Sequence, residues 1–261
     1  DHTLKIGVEY NGTYFHRTEN KHDRYHLDKT NEALSKGYKI YHVFDDEFVH
    51  DSTKIINRLL KVFKTGLYIT DETFEYLEEC FFENKSYDEI DVEGLTKTPI
   101  LFSDCKVVKA EPTKTYFQFY TAFGLLKEYN ETVNNVNYNI EHSDYGIIGY
   151  ISINKITNTI ENLFIEDEFN VKGLNSSLFN DYISVFKPTD LYFDIDKRFS
   201  PDIENLSSLG FEFVQHTEPR THYFKNYTRH IASETTNLEL ESDVEWNELH
   251  DCGCLRYKLI K

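Results

Sequence analysis

The sequence has no methionine, a single tryptophan and five prolines in 261 residues, and its four cysteines are irregularly spaced. The missing methionine and the start at Asp1 are read as marks of a processed or trimmed chain. Uninterrupted apolar runs stop after a few residues, far short of the roughly 20 that cross a bilayer, so no membrane helix is expected. No basic segment precedes an apolar stretch at the start, so no export signal is expected either. Bases are scarce, 28 against 45 acids, and the net charge of −17 repels a polyanion over most of the surface. A DNA partner therefore needs a local basic strip. Only Cys252 and Cys254 form a cluster, as Cys-Gly-Cys. With no second pair at zinc-finger spacing, a zinc site would have to recruit His250 and a distant histidine. Free, reduced cysteines are the expectation.

What is present argues for a folded chain. Hydrophobic residues make up 39% and charged residues 28%, enough for one large domain or two of ordinary size. Nineteen tyrosines and 20 phenylalanines can build a core and leave rings exposed, which in an acidic protein favours contact with protein partners or an assembly. Residues 4–10 read as a strand, Asn11-Gly12 as a turn, 23–36 as a helix closed by Gly37, and 38–44 as a second strand. Residues 52–64 form an amphipathic helix whose polar face carries Lys54, Arg58, Lys61 and Lys64. This is the best basic strip in the chain, and its first three cations are candidate phosphate contacts. An acidic, aromatic helix is expected over 71–91, and Pro99 and Pro112 punctuate a boundary region. Beyond it, strands are expected at 145–153, 159–165, 191–195, 211–216 and 221–224, with helices at 174–186 and 202–209. That order suggests a mixed sheet with helices across it. The acidic run from Glu239 to Glu248 reads as a solvated face, with Trp246 anchoring the tail.

The chemistry-bearing residues gather near the start. Glu9 ends the first strand, His16 follows the turn, and His26, Asp28, Lys29 and Thr30 lie on the first turns of the helix; Asp45, Asp46 and Glu47 end the next strand. Carboxylates bind a hard divalent cation, and histidine can relay or donate a proton during phosphodiester hydrolysis.

The runs Gly7-Val-Glu-Tyr-Asn-Gly-Thr-Tyr-Phe-His16, Tyr25-His-Leu-Asp-Lys-Thr30 and Tyr41-His-Val-Phe-Asp-Asp-Glu-Phe48 resemble phage-borne homing-type endonucleases related to very-short-patch repair nucleases, whose fold is of the PD-(D/E)XK kind. The resemblance implies Glu9 as a metal ligand for Mg²⁺, His16 and His26 beside the scissile phosphate, Lys29 as a further catalytic group, and Lys29 with Thr30 contacting phosphate. It also puts the family's first metal aspartate before residue 1, so the visible site is half of one. Segments around 191–200, 205–211 and 218–225, and the ending Asp251-Cys-Gly-Cys-Leu255, are similar to the second half of the same proteins.

The C-terminal half also looks like the GNAT acetyltransferase fold, through Gly146-Ile-Ile-Gly149 and the loop Asn170-Val-Lys-Gly-Leu-Asn175. In that family the loop reads [QR]-x-x-G-x-[GA], because small residues let backbone N–H groups reach a cofactor pyrophosphate. With Asn170 and Asn175 at the outer positions, the resemblance implies a fold kept without CoA. The fold class read from the sequence is thus mixed α/β, or α+β: a truncated PD-(D/E)XK-like domain over 1–65, a divergent connection over 66–140 and a GNAT-like mixed-sheet domain with a tail over 141–261. The expected function is that of a protein derived from a homing-type DNA endonuclease, with an incomplete metal-dependent site. The alternative is a catalytically silent structural or interaction component of a phage particle.

Overall fold

Two short strands, β1 (Ile6–Asn11) and β2 (Lys39–Phe44), run parallel and are joined by helix α2 (Tyr25–Ser35), after the single turn α1 (Thr13–His16). The structure is a computed structural model and describes residues 1–18, 20–86, 89–90, 96–110, 134–225, 228–231 and 247–260. Pro112 and most of the acidic run, Trp246 included, lie outside the described residues. Gly37 ends α2 as expected, with φ of +77°, a conformation that costs glycine least. The alternation in β1 is the reverse of an ordinary strand. Val8 and Tyr10 face solvent at 45% and 57% exposure, while Glu9 is half-buried and Asn11 is fully buried. A strand that turns its polar side chains inward marks a site more clearly than exposed apolar groups do.

Helices α3 (Asp45–His50), α4 (Ser52–Val62) and α5 (Asp71–Phe82) follow. Asp51 caps α4 by accepting from the Lys54 amide at 3.1 Å, and Thr70 caps α5 in the same way through Thr73. Asn57, turned inward from α4, holds the next segment by two hydrogen bonds, donating to the Ile69 carbonyl at 2.9 Å and accepting from its amide at 2.8 Å.

The remainder is organised by a seven-stranded mixed sheet. Its strands are β4 (Cys105–Ala110), β5 (Asn135–His142), β6 (Gly146–Asn154), β7 (Thr159–Ile165), β9 (Tyr192–Asp196), β10 (Phe211–His216) and β14 (Cys254–Leu259), in the order β10-β14-β9-β7-β6-β5-β4. Every neighbouring pair is antiparallel except β7 and β9. Strands β3 (Thr98–Leu101) and β8 (Phe169–Lys172) form a separate parallel pair, and β11 (Thr221–Lys225), β12 (Thr228–Ile231) and β13 (Asn247–His250) a small antiparallel sheet. A 3₁₀ turn at Ser176–Phe179 leads into α6 (Asn180–Phe186), and Leu178, Phe179 and Tyr182 pack into the core with Ile148, Ile151, Ile153, Ile160, Phe211 and Leu255. Burying such side chains fully is worth roughly 1.5–3 kcal/mol each.

The N-terminal elements are tied to this sheet by buried polar groups. The His42 amide donates to the Arg198 carbonyl at 3.1 Å, and the Arg198 side chain, 1% exposed, ion-pairs with Glu47 from α3 and Asp196 from the end of β9. Asp196 is shared with Arg220, which also grips Asp251. Asp251 accepts further from the Arg220 and Gly253 amides at 2.8 and 2.7 Å and lies 3.0 Å from His222 Nε2. Gly253 is required in this turn: its φ is +70°, and a Cβ there would stand 2.4 Å from the Thr217 carbonyl oxygen.

A PD-(D/E)XK core is not shown among the described residues. Over residues 1–65 the described strands are β1 and β2 alone, a two-stranded parallel pair docked on the large sheet. No helix among the described residues is long and apolar enough to cross a membrane.

Candidate metal centre

The β1–α2–β2 crossover brings three chain-distant groups to one point. The parallel register sets Glu9 beside His42, and α2 lays His26, Lys29 and Thr30 over them, because residues three and four apart share a helix face. One donor atom each of Glu9, His26 and His42 lie within 4.8 Å of one another. His26 and His42 are 3% and 0% exposed.

The hydrogen bonds fix the orientation of His42. The Thr30 hydroxyl donates its only proton to the His26 carbonyl at 2.9 Å, so at its 2.9 Å contact with His42 Nε2 it accepts. His42 therefore carries its proton on Nε2, and its Nδ1 lone pair faces Glu9 Oε2 at 3.2 Å. Two lone pairs at that distance are relieved by a cation between them, either a proton on Nδ1 or a metal ion. Glu9 Oε2 lies off the hydrogen-bonding direction and has no hydrogen-bond partner among the described residues, and neither ring nitrogen of His26 has one. Buried groups of this kind are few in folded proteins and cost roughly 1–3 kcal/mol each when unsatisfied.

The electrostatics keep the donors in their ligand forms. Burial raises the Glu9 carboxyl, but the contacts with His42 and Lys29 outweigh it and hold the group at about 2. Burial first, then the charges of His42 and His16, push His26 down to about 3, so its imidazole is neutral at any physiological pH. His16 stacks on His26 with centroids 4.9 Å apart; burial and the charges of Lys21, Lys29 and His42 lower it against the pull of Glu9. For Lys29, burial works downward, yet its hydrogen bond and ion pair with Glu9 raise it.

The residues singled out by sequence fare differently. Glu9, His16, His26 and Lys29 do come together. Thr30 is 0% exposed and positions His42, so it cannot touch a phosphate. Lys54 pairs with Asp51, half-buried Arg58 stacks on Phe199 with its guanidinium carbon 4.4 Å from the ring centre, and Lys61 is exposed. The basic strip is thus largely spent within the chain. Glu47 pairs with Arg198, and Asp45 accepts from the Thr13 amide at 2.9 Å, so both serve packing and capping. His42 had no role in the sequence reading; only the register of β1 against β2, set by the parallel crossover, could have exposed it. The Mg²⁺ expectation finds no support. Two imidazoles and one carboxylate suit zinc, manganese or iron, whereas Mg²⁺ takes oxygen ligands and retains water. Cys252 and Cys254 are free and buried, and burial pushes both thiols up to about 12.

No family model and no curated protein matches the chain. Among solved structures, a spermidine/spermine N-acetyltransferase of Vibrio cholerae in complex with manganese ions is similar over 60% of this chain and 93% of its own, at 13% identity and a TM-score of 0.37. A dodecameric spermidine N-acetyltransferase of the same organism is similar over 60% and 94%, at 12% identity and a TM-score of 0.33. These likenesses are too distant to carry function. The endonuclease resemblance is corrected on other grounds: no family model and no curated protein of that kind matches, and the strands described over residues 1–65 are one parallel pair. The expected nuclease-derived function and its phage-structural alternative have no support. A mixed α/β chain with a large mixed sheet stands.

Proposed function

We propose that this chain binds a divalent transition cation through Glu9, His26 and His42, and that its activity is Lewis-acid chemistry at that centre. The supporting observation is the convergence of three buried or half-buried donors within 4.8 Å, with Glu9 Oε2 and both His26 nitrogens lacking hydrogen-bond partners among the described residues. At metal–ligand bonds of about 2.0–2.2 Å, donors around one ion stand up to about 4.2 Å apart, so side-chain shifts of a few tenths of an ångström close the set. Two histidines and a carboxylate leave positions open for water or substrate, on the side where Lys29 is partly exposed. The Thr30 hydroxyl orients His42 from behind, as metal-bound imidazoles require. When bound, the cation would polarise an oxygen of water or substrate.

Isothermal titration of the full chain with Zn²⁺ and with Mn²⁺ tests this. One ion per chain, lost on His42→Ala and on Glu9→Gln while Mg²⁺ gives no heat, is expected. Failure of both ions to bind, or binding indifferent to both substitutions in folded protein, overturns it.

A further inference from the structure

We infer that the gap between β7 and β9 is a seat for this chain's own helix α4 and not an acyl-CoA site. The two strands are paired only at Thr159 with Tyr192 and Ile160 with Phe193. Beyond that they part: β7 stays on β6 as far as Ile165, and β9 stays on β14 as far as Asp196. A parallel pair that opens after two residues leaves a cleft whose lips are the residues past each strand, Asp167 on one side and Phe199 on the other.

Helix α4 lies across those lips. Arg58 stacks on Phe199, its guanidinium carbon 4.4 Å from the ring centre, a cation–π contact. It also feels the charges of Asp167, Asp196, Glu47 and Arg198. Asp167, half-buried, in turn feels the charges of Lys97, Lys61, Arg58 and Lys54. The helix cannot easily swing away. Its start follows α3, whose Glu47 pairs with Arg198 on the β9 lip, and Asn57 binds the Ile69 backbone on its other side.

The phosphate loop argues in the same direction. A pyrophosphate would need free amides at the start of the following helix, and glycine or alanine to admit it. Here the Asn175 side chain accepts from the Ser177 amide at 3.0 Å and donates to the Gly173 carbonyl at 3.1 Å, so the loop caps itself. The helix opens as a 3₁₀ turn, Ser176–Phe179, which aims fewer amides at one point than an α-helical N-terminus does. Acyl-CoA does not fit these residues.

The lysines and arginine of α4 give the rival outcome its basis, since their charge could draw the cofactor's phosphates. Two measurements on the full chain decide. Acetyl-CoA and CoA at about 1 mM should leave the melting temperature unchanged; a saturable rise of several degrees overturns the inference. Hydrogen exchange should show α4 amides protected to the same order as those of β7, unaltered by acetyl-CoA. Arg58→Asp should speed exchange in α4 and at the two lips by tenfold or more, leaving Zn²⁺ affinity at Glu9 unchanged; Phe199→Ala should act in the same direction. If α4 exchanges as a free helix in the unmodified chain, or is indifferent to both substitutions, it is not seated in the cleft.

Discussion

Two parallel strand pairs in this molecule come to opposite ends. β1 and β2 stay in register over six residue pairs, from Ile6 with Lys39 to Asn11 with Phe44, and the crossover helix closes over the face where Glu9 meets His42. β7 and β9 separate after two pairs, and Arg58 of α4 stacks on Phe199 beside the opening. A closed pair concentrates side chains of both strands on one face and so can build a small polar site. An open pair exposes strand edges and side-chain surface that some other group must cover. What fills the opening decides whether it is a cofactor site or an internal joint.

The largest effect is expected where the joint meets the sheet. Asp251 is fully buried among Arg220, His222 and two backbone amides, so Asp251→Asn should cost about 3–5 kcal/mol in urea denaturation, the usual penalty for stranding a buried partner charge. The same carboxylates give a pH signature. Burial raises Asp196, but Arg198 and Arg220 outweigh it and hold the group at about 2; Asp251 is held lower still, Arg220 and His222 overcoming its burial. A depressed carboxyl contributes its full stability above its unfolded value near 4 and loses it as protonation begins in the fold. Stability should therefore fall steeply from pH 4 towards 2, and the fall should flatten in Asp251→Asn.

The closed pair is broken more locally. Glu9→Gln should lower Zn²⁺ affinity by about 100-fold in titration calorimetry, removing the only anionic donor of the set. Thr30→Val removes the acceptor of the His42 Nε2 proton and should cost about 10-fold, the scale of lost outer support, with the melting temperature showing whether the core tolerates it. The smallest effect should come from Lys29→Met. Taking a positive charge from beside Glu9 ought to tighten cation binding a few-fold, more so at low salt.

Much of the sheet was legible because its strands alternate and end at turn residues. The strands at Thr159–Ile165 and Phe211–His216 match their sequence expectations residue for residue. β5 is hidden in the sequence although Asn135-Val-Asn-Tyr-Asn-Ile alternates strictly, because asparagine is a poor strand former and masks the pattern. The helix expected over 202–209 is only a 3₁₀ turn at Ser207–Leu209. There the Asn205 side chain accepts from the Ser207 amide at 3.0 Å, a local bond that competes with helix. The endonuclease reading failed for a related reason. Short polar motifs record which residues are near one another in the chain, and several folds can place a strand, a turn and a helix in that order.

The sequence by itself determined the local pieces: a strand carrying Glu9, a helix with His26, Lys29 and Thr30 on one face, a glycine to end it, and an acidic surface. Their spacing alone dictates these, since helix and strand periods are properties of the backbone. Only the tertiary structure decided that His42 completes the cluster, through a parallel register no local pattern encodes, and that Arg58 lies against Phe199 and not in solvent. Both depend on how distant segments dock, and that is settled by the burial of many groups at once.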